Sequence, residues 1–194
     1  MSKYKINLLL CIISIILISC EARGYNDVPH HAKNGALHAV VEIPTGSTQK
    51  VKYEADHQGF KYFKENGIIT RIKYLPSPVN FGFVPSSSDD GDFAKIIVIS
   101  ESLSSGSIVE VDLIGAVEMS SSGEKQYCMI SLPRDENMRT LKSNNLEEIF
   151  GIYPEFKQML EAWFSEMLDI KNADFQYVDK ENAEKKLRNF VNLI

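Results

Sequence analysis

The chain has 194 residues, a formal charge of −5 and 44% hydrophobic side chains. That length suffices for one domain with a substantial core, and the composition is that of an ordinary globular protein. The acidic balance argues against a nucleic-acid partner and against direct attraction to an anionic membrane surface.

The first nineteen residues stand apart. Lys3 and Lys5 form a basic start, and Leu8 to Ile18 is an apolar run broken only by Ser14. Spanning a bilayer takes about 20 apolar residues, so this run is too short and fits a signal-peptide core. It ends in Leu17-Ile18-Ser19-Cys20, which resembles a bacterial lipobox. That resemblance implies cleavage before Cys20 and a lipid on its thiol. The mature protein is then expected in the bacterial cell envelope, anchored on the periplasmic or extracytoplasmic side. The chain divides into a signal peptide (1–19), a polar tether (20–35) and a domain (36–194). Taking Lys3 and Lys5 from −5 leaves a mature charge of −7. Cys11 leaves with the signal and Cys20 is modified, so Cys128 alone remains and no internal disulfide can form. Cys128 lies in an apolar strand pattern, which points to core packing instead of redox work.

In the tether, His30 and His31 are adjacent, so an extended chain points them apart as solvated side chains. Residues 37–43 and 51–55 read as strands. Residues 60–63 and 68–75 flank Glu65-Asn66-Gly67, an Asn-Gly hairpin signal. Residues 95–99 form a short apolar strand. Residues 108–119 alternate, with Val109, Val111 and Leu113 on one side and Glu110 and Asp112 on the other. Ser120 to Gly123 turns the chain into a strand at 127–132. Short strands at regular spacing with Gly/Ser turns predict a mostly β fold built on a closed barrel. Pro154 opens a helix whose apolar stripe is Phe156, Met159, Leu160, Trp163, Phe164, Met167 and Leu168. A strand at 175–178 and a last helix capped by Asp179 follow, with Ala183, Leu187, Phe190 and Val191 inward.

The stretch from Tyr74 to Ser100 carries the chemistry. Phe81, Gly82 and Phe83 put two rings on one face around a residue that lets another backbone approach. Asp90 and Asp92 are two apart, so their carboxylates share a face in extended chain. Paired hard-oxygen ligands suit Mg²⁺, and a solvated Asp-Gly turn is the alternative.

Glu42-Ile43-Pro44, Lys52-Tyr53-Glu54, Tyr74-Leu-Pro-Ser-Pro-Val-Asn-Phe-Gly-Phe-Val-Pro85 and Asp90-Gly-Asp92 occur in this order. Together they resemble the soluble family I inorganic pyrophosphatases, with their E-I-P, K-Y-E, Y-P-x-N-Y-G-(F/Y)-(I/V)-P and D-G-D-P-x-D motifs. The resemblance covers roughly residue 37 to the end. It implies a five-stranded OB-like closed barrel with two or three helices packed outside. It implies Mg²⁺-dependent hydrolysis of pyrophosphate to two phosphates, and it allows a homo-oligomer. Clustered Mg²⁺ ions serve that reaction by neutralising the phosphates and lowering the pKa of a bridging water.

By the same resemblance, Glu42, Glu54 and Asp90 bind metal, Asp92 orients or deprotonates the attacking water, and Lys52 contacts phosphate. Other family positions are replaced. The third aspartate of D-G-D-P-x-D falls on Lys95, a charge reversal, and its proline on Phe93. Counting from Gly115 to Pro133 without a gap, two metal aspartates fall on Ser121 and Gln126 and a phosphate lysine on Cys128. The tyrosine of N-Y-G is Phe81. The Tyr-Lys pair closing the long helix falls on Met167 and Leu168. Each lost charge-assisted phosphate contact removes roughly 1.5–3 kcal/mol.

Two functions follow. One is a tethered, Mg²⁺-dependent pyrophosphatase with weakened or altered activity. The other is a lipoprotein that uses the barrel for binding or assembly without catalysis, with no cofactor. In the second, the Lys95 ammonium stands where a metal stood and neutralises Asp90 and Asp92.

Overall fold

The computed structural model describes residues 24–73, 75–87, 93–121, 123–170 and 172–191. The signal run, Cys20, Asp90 and Asp92 lie outside the described residues.

The main sheet has six strands in the order β1 (Leu37–Ile43), β6 (Asn80–Phe83), β7 (Lys95–Val98), β9 (Glu124–Pro133), β8 (Ile108–Ser121) and β10 (Asp174–Asp179). Strand β1 serves two neighbours because its pairing is divided along its length. Val40, Val41 and Ile43 meet β6, whereas Leu37 to Val40 meet β8. Five strands therefore form a cycle of paired neighbours, and β10 attaches to β8 outside it. The β7–β9 pair is parallel, and the other pairs of this sheet are antiparallel.

Gly82 makes the β1–β6 contact feasible. A Cβ there would sit 1.8 Å from the Val40 carbonyl oxygen, so a side chain is excluded by backbone. Opposite, between Val41 and Ile43, the register shifts by one residue. Glu42 is that extra residue. A bulge of this kind bends the strand and re-aims a side chain.

Two small ladders flank the sheet: β2 (Val51–Glu54) with β3 (Gly59–Tyr62), and β4 (Lys64–Glu65) with β5 (Ile68–Ile69). The Asn-Gly turn forms as expected, with Asn66 at φ 51° and Gly67 at φ 81°. The flanking strands differ from expectation. Residues 60–62 pair with β2, and only two-residue ladders embrace the turn. Residues 61–68 are all exposed, so no buried face prolongs that ladder. The β8–β9 reversal is also tighter than expected, since β8 runs on to Ser121 and β9 begins at Glu124.

Three α-helices are described: α1 (Leu146–Ile152), α2 (Pro154–Leu168) and α3 (Lys180–Val191). The Asn145 side chain accepts from the Glu148 N–H at 3.0 Å to cap α1. Asp179 accepts from the Asn182 N–H at 2.9 Å to start α3. On α2, Leu160, Trp163 and Phe164 are fully buried. Phe156, Met167 and Leu168 are partly buried against the same core. Met159 departs from the expected stripe and is exposed, because it lies at the stripe's outer edge. One core lies beneath α2, a second beneath Ala183 and Leu187 of α3. A third cluster is aromatic, with Tyr53 and Phe93 stacked on Phe83.

The described part of the polar N-terminal segment contacts the body. The Tyr25 hydroxyl donates to the Gly106 carbonyl at 2.8 Å, and its ring meets Tyr53 and Phe83 edge-on. His30 and His31 do not point apart. Their rings lie 4.9 Å apart, because the chain turns there instead of running extended. Burial, then the neighbouring His31, lowers the His30 pKa.

Candidate active site

The bulge turns Glu42 inward, leaving it 1% exposed. A buried carboxylate requires partners for both oxygens. Oε1 accepts from the Tyr53 N–H at 2.7 Å, and Oε2 lies 3.4 Å from Lys95 Nζ. Lys95 arrives from the first position of β7, between Phe81 and Phe83, with its ammonium 6.0 and 5.9 Å from their ring centres. Two aromatic faces and one carboxylate thus surround the amine. The expectation that two rings share a face is met. The expectation that Lys95 neutralises Asp90 and Asp92 concerns residues outside the described set; among the described residues, the carboxylate that Lys95 meets is Glu42.

A cavity of about 660 Å³ opens beside this pair. It brings together Glu42, Lys52, Phe81, Lys95, Gln126, Met167 and Leu168, seven positions that the sequence motifs assigned to one site. Three others do not line it. Glu54 turns to the β2–β3 ladder, where Lys61 Nζ donates to it at 3.0 and 3.3 Å and His57 lies 3.9 Å away. Ser121 sits at the end of β8 opposite Glu124. Cys128 is fully buried beside Lys95 across the β7–β9 pair. Burial pushes its thiol pKa well up, and the nearby Lys95 charge only partly offsets this, so the sulfur is an inert core group.

Phe81 is 6% exposed and packs edge-on against Trp163 at 5.7 Å. Phe93, where the resemblance places proline, joins the aromatic stack. The cavity also takes Lys50, Phe63, Lys64, Lys125, Tyr127 and Phe190, which sequence reasoning did not assign to the site. Lys50 was accessible to it, since it lies two residues before Lys52, just ahead of β2, where an extended chain points both side chains the same way. Phe63 and Lys64 carry no one-dimensional signal for the site, and the periodicity that turns Phe190 inward does not say what it faces.

Behind Lys125, Glu118 anchors the wall. Lys125 Nζ is 2.5 Å from Glu118 Oε1, and Lys186 Nζ of α3 is 3.3 Å from Oε2. Hydrogen bonds from Lys125 and then Tyr127 hold the Glu118 pKa down to about 2 against the opposing effect of burial. Lys186 also lies 3.9 Å above the Tyr127 ring.

Among the described residues, the donors that the family resemblance assigns to metal are engaged within the protein or are not carboxylates. Both Glu42 oxygens are engaged by an N–H and an ammonium, Glu54 is held by Lys61, and Ser121 and Gln126 offer no carboxylate. Among the described residues, no three His, Cys, Asp or Glu side chains are grouped to hold a metal ion.

The family model for inorganic pyrophosphatase matches residues 39–193. An inorganic pyrophosphatase of Synechocystis sp. is 26% identical over 156 residues, covering 76% of this chain and 89% of the relative. One of Neisseria meningitidis serogroup B is 24% identical, covering 84% and 91%. The fold is similar to the crystal structure of the inorganic pyrophosphatase from Thermus thermophilus, with a TM-score of 0.69, 21% identity and coverage of 88% and 98%. That from Neisseria gonorrhoeae gives 0.69 at 19% identity, with 87% and 97% covered. On a family match that spans most of its length and includes the cavity, the chain belongs to the inorganic pyrophosphatase family.

Proposed function

We propose that this protein is a membrane-tethered member of the family in which Mg²⁺-dependent pyrophosphate hydrolysis is lost or strongly weakened. The single observation that carries this is the Lys95–Glu42 pair, 3.4 Å apart. The family resemblance expects an aspartate at position 95 that bridges metals. A fixed ammonium there repels a divalent ion: two unit charges about 4 Å apart interact by about 4 kcal/mol at an effective dielectric near 20. Loss of the phosphate grip at Phe81, Cys128, Met167 and Leu168 acts in the same direction. The cycle of five paired strands supports the OB-like closed barrel as retained scaffold.

In this account Asp90 and Asp92 remain as relics of the metal and water-activating positions, and Lys52 as a phosphate contact. Mg²⁺ and pyrophosphate are the family's cofactor and substrate. The lipobox-like Cys20 supports an anchor on the outer face of a bacterial membrane. The tethered pyrophosphatase with weakened or altered activity keeps support from Glu42 and Lys52 in one cavity, and the non-catalytic binding lipoprotein keeps support from the Lys95–Glu42 pair.

The test is to express the full chain in bacteria, separate membrane from soluble fractions, and assay the purified protein for phosphate release from pyrophosphate with Mg²⁺. The expected result is protein in the membrane fraction, released to the soluble fraction by Cys20→Ala, with turnover at least about a hundredfold below that of an active relative, a loss of roughly 2.7 kcal/mol in barrier terms. Steady Mg²⁺-dependent turnover abolished by Asp92→Ala would overturn the loss of activity. Soluble wild-type protein would overturn the tether.

A further inference from the structure

We propose that the cavity binds, without a metal, a phosphate monoester that carries an apolar or aromatic body. This rests on the loss of Mg²⁺–pyrophosphate chemistry proposed above and names the ligand class that the remodelled site suits.

Size comes first. At about 660 Å³ the cavity lies within the range of roughly 300–1,000 Å³ common for small-molecule sites. Its walls come next. Phe81, Phe93, Met167 and Leu168, with Phe63 and Phe190, contribute apolar surface to the lining. Inorganic pyrophosphate has no apolar surface to bury. Such walls would only strip water from its charges without replacing the lost hydrogen bonds. A ligand with a ring or alkyl body gains from the same walls.

Charge decides the other end of the ligand. Lys50, Lys52, Lys64, Lys95 and Lys125 line the cavity, against Glu42, Glu65 and Asp169. Lys95 is committed to Glu42 and Lys125 to Glu118. Lys50 donates to the Glu166 carbonyl at 3.3 Å, which leaves its charge uncompensated. Lys52 and Lys64 are exposed and make no ion pair among the described residues. Among the described residues, the unpaired Lys50, Lys52 and Lys64 exceed the unpaired Glu65 and Asp169 by one positive charge; a phosphate monoester, with a charge of about −1.5 to −2 near neutral pH, is drawn by that excess to the Lys52 and Lys64 ammonium groups. Lysines that are already present replace the charge neutralisation that metal ions would supply. Phe63 stands beside Lys64 at the rim and is 49% exposed, so a ring and a cation are offered together to solvent.

The experiment is calorimetric titration of the protein from Cys20 onward, in EDTA, with 1-naphthyl phosphate, 1-naphthol, inorganic phosphate, pyrophosphate and a long-chain alkyl phosphate. The expected result is that naphthyl phosphate or alkyl phosphate binds at least about tenfold more tightly than naphthol, phosphate or pyrophosphate. Preference for the naphthyl compound assigns a soluble aromatic phosphate; preference for the alkyl compound assigns a lipid-like one. Lys52 and Lys64 are exposed, so the Lys52→Ala/Lys64→Ala variant retains its fold, checked by circular dichroism, and loses about tenfold in affinity. Phe63→Ala weakens the organic phosphates and leaves inorganic phosphate unchanged. Absence of binding in EDTA, equal or tighter binding of pyrophosphate, or variants without effect would overturn the proposal. Because EDTA removes Mg²⁺, these outcomes are read separately from turnover. Magnesium-dependent hydrolysis would refute the loss of activity alone, and failed binding without hydrolysis would refute the ligand class alone.

Discussion

Glu42 and Lys95 show how much one side chain can decide. A carboxylate only 2% exposed at its side chain is tolerable because an N–H and an ammonium both face it. Removing the ammonium leaves that charge unpaired in the interior. Lys95→Met is therefore expected to destabilise the fold by about 3 kcal/mol, the lower end for a broken buried pair because Lys95 is 26% exposed. Glu42→Gln in the same chain should recover much of it, since the double change removes both charges. Urea denaturation of the single and double variants checks this, and a loss below about 0.5 kcal/mol, typical of surface positions, would show that the pair is not structural. That Lys95 stands where the family resemblance expects an aspartate was legible from motif spacing. Its partner was not, because the bulge that turns Glu42 inward is a one-residue register shift with no periodic signature in sequence.

Among the elements, the β8–β9 hairpin and helix α3 are joined through Glu118. Lys125 holds it from the adjacent strand, and Lys186 reaches it from 68 residues away. The strands and the helix were each readable, from alternation at Val109, Val111 and Leu113 and from the Asp179 cap. Their junction was not, because nothing local in sequence pairs Glu118 with Lys186. The junction has a pH signature. The folded-state pKa of Glu118, about 2, lies below its reference value of 4.5. Its stabilising contribution is complete above about pH 4.5 and fades as pH falls toward about 2. Glu118→Gln cannot titrate, so its denaturation midpoint should fall less steeply than that of the wild type between those pH values. Parallel curves for the two proteins would show that Glu118 gains nothing from its lysines.

At the scale of the molecule, the mostly β architecture with external helices was legible because its signals are local: turn residues, alternation of two, and the α2 stripe. The site was half legible. Motif order placed Glu42, Lys52, Phe81, Lys95, Gln126, Met167 and Leu168 together, and one cavity gathers them. Glu54 does not line that cavity and is paired with Lys61, which the β2–β3 ladder brings beside it. On the function proposed above, the chain is a pyrophosphatase-family scaffold whose cation is a lysine, and an internal cation would make stability independent of added metal. The direct measurement is the thermal midpoint of the protein from Cys20 onward, with and without millimolar Mg²⁺, for the wild type and Lys95→Asp. The expected result is an unchanged wild-type midpoint and a Lys95→Asp midpoint that is low in EDTA and rises with Mg²⁺, since a ligand that binds only the native state must stabilise it. A wild-type midpoint that climbs with Mg²⁺ concentration would contradict the claim.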